Sequence, residues 1–229
     1  APDQIALLDA LGTAYLKAGD ESQAISTFEK ILRAKPDSAP LQLRMGEFYL
    51  GRKDYDRALT HFRKSAELSP KAIEPKAAIA SALVASGKIA DARTIAANLQ
   101  KEAPKSAAGA VLDGDILTFD KKYADAATAY RKALSIQKAL PISLKLHRAL
   151  MLGGKEAEAD TLLKSLLAES PKDPNIKSYA AILEIGRKRW AQAIPLYKEV
   201  VALQPNNALA LNNLAWALYE TKDPEAMAI

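Results

Sequence analysis

The chain has 229 residues, a formal net charge of +5 and no cysteine, so disulfides and thiolate metal sites are excluded. Hydrophobic residues make up 49% but aromatics only 6%, which points to Ala-rich, closely packed helices. No run of about 18 apolar residues exists, so no membrane-spanning helix is expected.

The first predicted hairpin is "LGTAYLKAGDESQAISTFEKILRAKP", Leu11 to Pro36. Leu8, Leu11, Gly12 and Tyr15 fall on one helical face, and Ala24, Phe28 and Ile31 on another. The "AGD" between them ends one helix and starts the next. Pro36 stops the second helix, because it lacks an N–H and clashes with the preceding turn. In "PDSAP" the Asp or Ser supplies a cap for the helix that follows.

The pattern returns at a step of 34. Gly12, Gly46, Ala80 and Gly114 coincide, as do Tyr15, Tyr49, Leu83 and Leu117. Ala24, Ala58, Ala92 and Ala126 follow, then Phe28, Phe62, Ala96 and Tyr130, then Pro36, Pro70 and Pro104. The register slips by one near Lys138 and resumes with Ala159, Leu163 and Pro171, then Ala193, Tyr197 and Pro205. The turns read "RKD", "SGK", "DKK", "GGK", "RKR" and "TKD" after the first. One hairpin cannot bury its own apolar face, whereas stacked neighbours bury it together. The Gly, or its Ala replacement, lets two helices touch, and the aromatic fills the space between neighbouring units.

These spacings closely resemble the tetratricopeptide repeat, over six full repeats and a partial seventh. The resemblance implies an all-α, right-handed superhelical solenoid of antiparallel helix pairs. The repeats would span 5–38, 39–72, 73–106, 107–139, 140–173, 174–207 and, in part, 208–229, as a single array cut from a longer protein. Departures are expected to have consequences. His147 stands where a small residue belongs and should splay or shift its hairpin. Glu184 replaces the Tyr of the sixth repeat, and Pro195 should kink or weaken its helix.

Enzyme chemistry finds little support. The two histidines, His61 and His147, lie far apart by repeat position, and His61 is expected to be half-packed or solvent-facing. No Ser-His-Asp set, no His pair at helical spacing and no Gly-rich phosphate loop is present. Asp113/Asp115 and Glu156/Glu158 are two apart on helices and do not face each other. Gly153-Gly154 is a turn. No cofactor and no metal site is expected. The tight cationic run Arg187-Lys188-Arg189 is isolated, and no basic groove with interleaved aromatics exists, so nucleic acid is not an expected partner.

The resemblance instead implies a protein or peptide ligand in a concave groove lined by the first helices. Carried across position by position, the groove holds Asp9, Thr13, Leu43, Arg44, Glu47, Glu74 and Ser81. It continues with Val111, Asp115, Phe119, Leu144, Lys145 and Arg148, then Ser178, Tyr179, Ile182, Asn212, Asn213 and Trp216. Acidic groups dominate its first half, and basic or apolar groups its second. The family's clamp for a terminal carboxylate is not matched at any unit.

The closing "PNNALALNNLAWALYETKDPEAMAI" is similar to units of long envelope proteins of bacteria. These include lipoproteins that accompany exosortase (PEP-CTERM) sorting and exopolysaccharide production. A periplasmic or envelope scaffold is therefore expected, and a cytoplasmic adaptor or co-chaperone is the alternative. The seventh repeat lacks most of its second helix, so Leu211, Leu214 and Leu218 should be exposed and drive end-to-end self-association or fraying.

Overall fold

The computed structural model describes residues 2–222, with side chains from residue 5 onward. Among these residues the chain is all helix, in thirteen α-helices and no strand. They fall into two compact units, Ala1–Gly153 and Gly154–Ile229.

The first unit holds α1 (Pro2–Lys17), α2 (Glu21–Ala34), α3 (Ala39–Gly51), α4 (Tyr55–Leu68) and α5 (Glu74–Ala85). It continues with α6 (Ile89–Glu102), α7 (Ala108–Phe119), α8 (Tyr123–Ile136) and α9 (Leu140–Leu152). Each helix packs on the next in sequence, and α3, α5 and α7 also meet. A contiguous core runs from Ala24, Phe28 and Ile31 to Leu112 and Ile116. The second unit holds α10 (Glu156–Glu169), α11 (Pro174–Gly186), α12 (Trp190–Leu203) and α13 (Ala208–Glu220). Its core gathers Ala181, Ala193, Tyr197, Val200, Ala210, Leu214 and Leu218. The division falls in the turn of the fifth repeat, directly after the helix in which His147 is completely buried.

The recurring Gly has one packing reason. A Cβ on Gly12 would stand 2.5 Å from the Phe28 ring, and one on Gly114 would stand 2.5 Å from Tyr130; Gly46 faces Phe62 in the same way. The aromatic thus seats first on the glycine of its own hairpin, rather than chiefly between units. The third repeat replaces both partners at once, and Ala80 and Ala96 are fully buried. Gly109 serves another contact, since a Cβ there would lie 2.7 Å from the backbone nitrogen of Gln100.

Helix boundaries follow local chemistry. Asp20 and Asp54 cap α2 and α4, accepting from the backbone N–H of Gln23 and Arg57 at 3.1 Å. Asp173 and Asn207 cap α11 and α13. Ser38 occupies the cap position of α3 without a side-chain cap hydrogen bond, so the "PDSAP" cap does not form there. α12 runs through Pro195 without a break.

The middle residue of each repeat's internal turn is left-handed. Gly19, Gly87 and Gly154 supply it, but so do Lys53, Lys121, Lys188 and Lys222, at φ 57 to 61°. A Cβ in that region is crowded by the carbonyl oxygen, whereas glycine is not. Lys53→Gly together with Lys121→Gly should therefore raise thermal stability, by about 0.5–1 kcal/mol per site after glycine's larger unfolded-state entropy is subtracted. An unchanged or lower melting temperature would contradict this.

The seventh repeat differs from expectation. Leu214 and Leu218 are buried, and Leu211 is half-buried, because α12 already covers that side of α13. The exposed apolar side chains of α13 are instead Leu209, Trp216 and Tyr219. The second helix of that repeat lies outside the described residues.

Candidate first-helix binding faces

In the first unit the candidate residues stand on α1, α3, α7 and α9, with Glu74 and Ser81, both exposed, on α5. Asp9, Thr13, Leu43, Arg44, Val111, Asp115, Leu144 and Lys145 are half-buried, whereas Glu47, Phe119 and Arg148 are exposed. Each half contains one pair of opposite charges that meet each other. Arg44 forms an ion pair with Asp9, reaches Thr13 Oγ1 at 3.5 Å, and lies 5.2 Å over the Phe28 ring. Asp115 receives Lys145 Nζ at 2.5 Å on both carboxylate oxygens. The buried Tyr130 hydroxyl donates to the same carboxylate at 2.7 Å. Burial raises the Tyr130 pKa, and the adjacent Asp115 raises it further, so the hydroxyl stays a donor.

Both ion pairs join consecutive first helices within the first unit's face. Four of the charges assigned to a ligand are therefore largely occupied by one another. Glu47 and Arg148 are in no ion pair among the described residues. Phe119 is 58% exposed.

In the second unit the candidates stand on α11 and α13. Asn213 donates from Nδ2 to the Tyr197 hydroxyl at 2.9 Å, which fixes the amide's orientation. Trp216 packs against Trp190 at a ring-centroid distance of 5.1 Å and donates to Glu220 at 3.2 Å. Ile182 and Trp216 remain 49% and 47% exposed, with Asn212 exposed beside them and Tyr179 half-buried. Ile182 and Trp216 occupy the repeat position filled in the first unit by Thr13, Glu47, Ser81, Asp115 and Arg148. That position changes from polar to large and apolar.

Several features escaped sequence reasoning. Where the recurring aromatic is Tyr, its hydroxyl reaches a polar first-helix residue, as at Tyr130 and Tyr197; the Phe-to-Tyr change was the available signal. Glu184 sits at an otherwise apolar position because Arg187 and Arg189 pair with it, at 3.5 and 2.7 Å. Arg187 also binds Asp160 at 3.0 Å. Two of the three cations in Arg187-Lys188-Arg189 are thus matched by acids, and the run is not an open basic patch.

His61 is half-buried, stacked on Tyr49 at 5.4 Å, with Nδ1 2.7 Å from Gln42 Oε1. Burial lowers its pKa below the ordinary 6.5; Glu29 opposes this and Arg57 adds to it. A lowered histidine pKa means that the unfolded chain takes up the proton first on acidification. Stability should then fall as pH drops below about 6.5. His61→Gln should flatten that limb of a melting-temperature profile, and an unchanged slope would count against it.

Among the described residues no group of three His, Cys, Asp or Glu could hold a metal ion. No described helix is long and apolar enough to cross a membrane.

Tetratricopeptide repeat family models match residues 10–73 and 49–112. A model described as bacterial type III secretion protein (HrpB1_HrpK) matches residues 145–228. Superkiller complex protein 3 of Homo sapiens is 44% identical over 62 residues, 27% of this chain and 4% of that protein. The chain thus spans only a small part of the curated relatives it matches. A thermophilic tetratricopeptide protein of Thermus thermophilus superposes with a TM-score of 0.60 at 21% identity, covering 80% of this chain and 100% of that one. Yeast Tom70 gives a TM-score of 0.76 at 18% identity, covering 98% of this chain and 49% of that one. At these identities the likeness concerns the fold alone.

Proposed function

We propose that this chain, which belongs to the tetratricopeptide repeat family, is a non-enzymatic scaffold that holds a peptide or helix on its first-helix faces. Proteins of this family generally mediate protein–protein interactions. One observation carries the reading. Ile182 and Trp216 present large apolar groups at a repeat position that is polar throughout the first unit, beside the amides of Asn212 and Asn213. Exposed apolar side chains rimmed by hydrogen-bonding groups fit an apolar anchor on a peptide or amphipathic helix. In the first unit, Phe119 and Arg148 offer a second apolar and charged pair of contacts.

The setting we propose is the bacterial envelope, in protein sorting or exopolysaccharide export. The "LNNLAWALYE" unit and the secretion-protein match over residues 145–228 support it. End-to-end self-association would draw on Leu209 and Tyr219, because Leu214 and Leu218 are already covered.

The test is capture of partners by the immobilised chain from envelope and cytosolic fractions separately, read by mass spectrometry. The control carries Ile182→Ser and Trp216→Ser. A ligand caught from the envelope fraction and lost in the control is expected. A cytosolic ligand would overturn the compartment, and one indifferent to the control would overturn the site.

A further inference from the structure

We infer that one edge of the first unit docks on an anionic lipid surface. This goes beyond the scaffold reading and does not depend on it. Helices alternate in direction along the hairpins, so the ends of α2, α4, α6 and α8, with the turns that follow, share one edge. That edge comprises residues 29–42, 63–76, 97–110 and 131–144. It carries twelve lysines and arginines against five acids. The opposite edge, residues 15–28, 49–62, 83–96 and 117–130, carries eight against seven. Eleven of the twelve cations are exposed, Lys76 being half-buried. Lys64 pairs with Glu67 and Lys76 with Glu102, and Lys132 donates to the neutral amide of Gln100.

Part of this charge has a local explanation, because cations stabilise the C-terminal turn of a helix. Lys71, Lys105 and Lys138 do not share it. They stand in the turns themselves, between the C-terminus of one helix and the N-terminus of the next, whose dipole ends have opposite signs. Lys71 and Lys105 occupy the same position in successive repeats, Lys138 stands one residue earlier in the next, and none of the three forms an ion pair among the described residues. A file of like charges with no internal partner calls for an external anion.

The chemistry of the edge selects the kind of anion. No aromatic residue lies in any of the four segments. Nucleic-acid bases would lack a stacking platform, and a protein partner would lack the aromatic anchors that dominate protein interfaces. Flexible ammonium groups along an edge offer charge without shape. That suits a fluid sheet of anionic headgroups, where each lysine near the surface contributes about 1 kcal/mol.

The test is sedimentation with vesicles of phosphatidylglycerol and phosphatidylcholine, compared with phosphatidylcholine alone. One variant carries Lys71→Glu, Lys105→Glu and Lys138→Glu. A second, of equal net charge, carries Lys17→Glu, Lys53→Glu and Lys88→Glu on the opposite edge. A milder set, with Lys71, Lys105 and Lys138 changed to Gln, guards against misfolding, and helical circular dichroism checks all of them. The unaltered chain and the opposite-edge variant should bind the anionic vesicles and release them at high salt. The first variant should bind more than about tenfold more weakly, with the Gln set between. Equal binding by both Glu variants, or none by the unaltered chain, would overturn the inference. Tighter binding to polyuridylate or to polyglutamate than to vesicles would overturn it as well, in favour of nucleic acid or an acidic protein.

Discussion

Gly46→Ala is expected to destabilise the chain by about 1–3 kcal/mol, and the same change is expected to stabilise it when Phe62 is also alanine. Alanine is the better helix former by about 1 kcal/mol, so propensity alone predicts a gain. Packing reverses the sign, because the new Cβ would press into the Phe62 ring and both residues are deep in the core. Phe62→Ala alone should cost about 3–5 kcal/mol through lost burial and the cavity left behind. In that background the methyl of Gly46→Ala enters the vacated space, and propensity prevails. The third repeat already has this arrangement, with Ala80 opposite Ala96. A denaturant double-mutant cycle checks the pair. Additive effects would mean that the ring and the glycine do not limit each other.

The second large effect is at Tyr49. Its ring is buried, with Arg57 4.3 Å from the centroid and His61 stacked on it. Tyr49→Ala should cost about 2–4 kcal/mol, through lost apolar burial and the loss of a ring that orders two side chains of α4. Tyr49→Phe should recover most of this, since the ring makes these contacts. A melting temperature that Tyr49→Ala leaves unchanged would refute the assignment.

These effects separate what the sequence discloses from what it withholds. Gly12 and Phe28, or Gly46 and Phe62, are legible because their spacing on two short helices is fixed by helical geometry. Pro36, Pro70 and Pro104 are legible because a missing N–H acts within one turn. The left-handed conformation at Lys53, Lys121 and Lys188 was not legible as such. Lysine gives no sign of tolerating it; only alignment with Gly19 and Gly87 does.

The candidate faces were legible as positions but not as chemistry. Asp9 and Arg44 are 35 residues apart, and Asp115 and Lys145 are 30 apart. Reading each as a free charge for a ligand overlooked that a repeat brings an acid of one unit beside a base of the next. Leu214 and Leu218 were assigned to the open side of α13 for a related reason. Periodicity identifies an apolar face, but both neighbours of a helix in an array can claim it, and here α12 does. The spacing that fixes the fold leaves surface side chains free, so the partner is not encoded in it.

The central claim, that first-helix faces hold a protein ligand, is tested most directly by photo-crosslinking in living cells. A photoreactive phenylalanine analogue would replace Ile182 or Trp216 on the first-helix faces, or Gln192 or Thr161 on exposed sites of second helices. A discrete crosslinked species from 182 and 216, and none from 192 and 161, is the predicted result. Crosslinks only from 192 and 161, or none from 182 and 216, would contradict the claim.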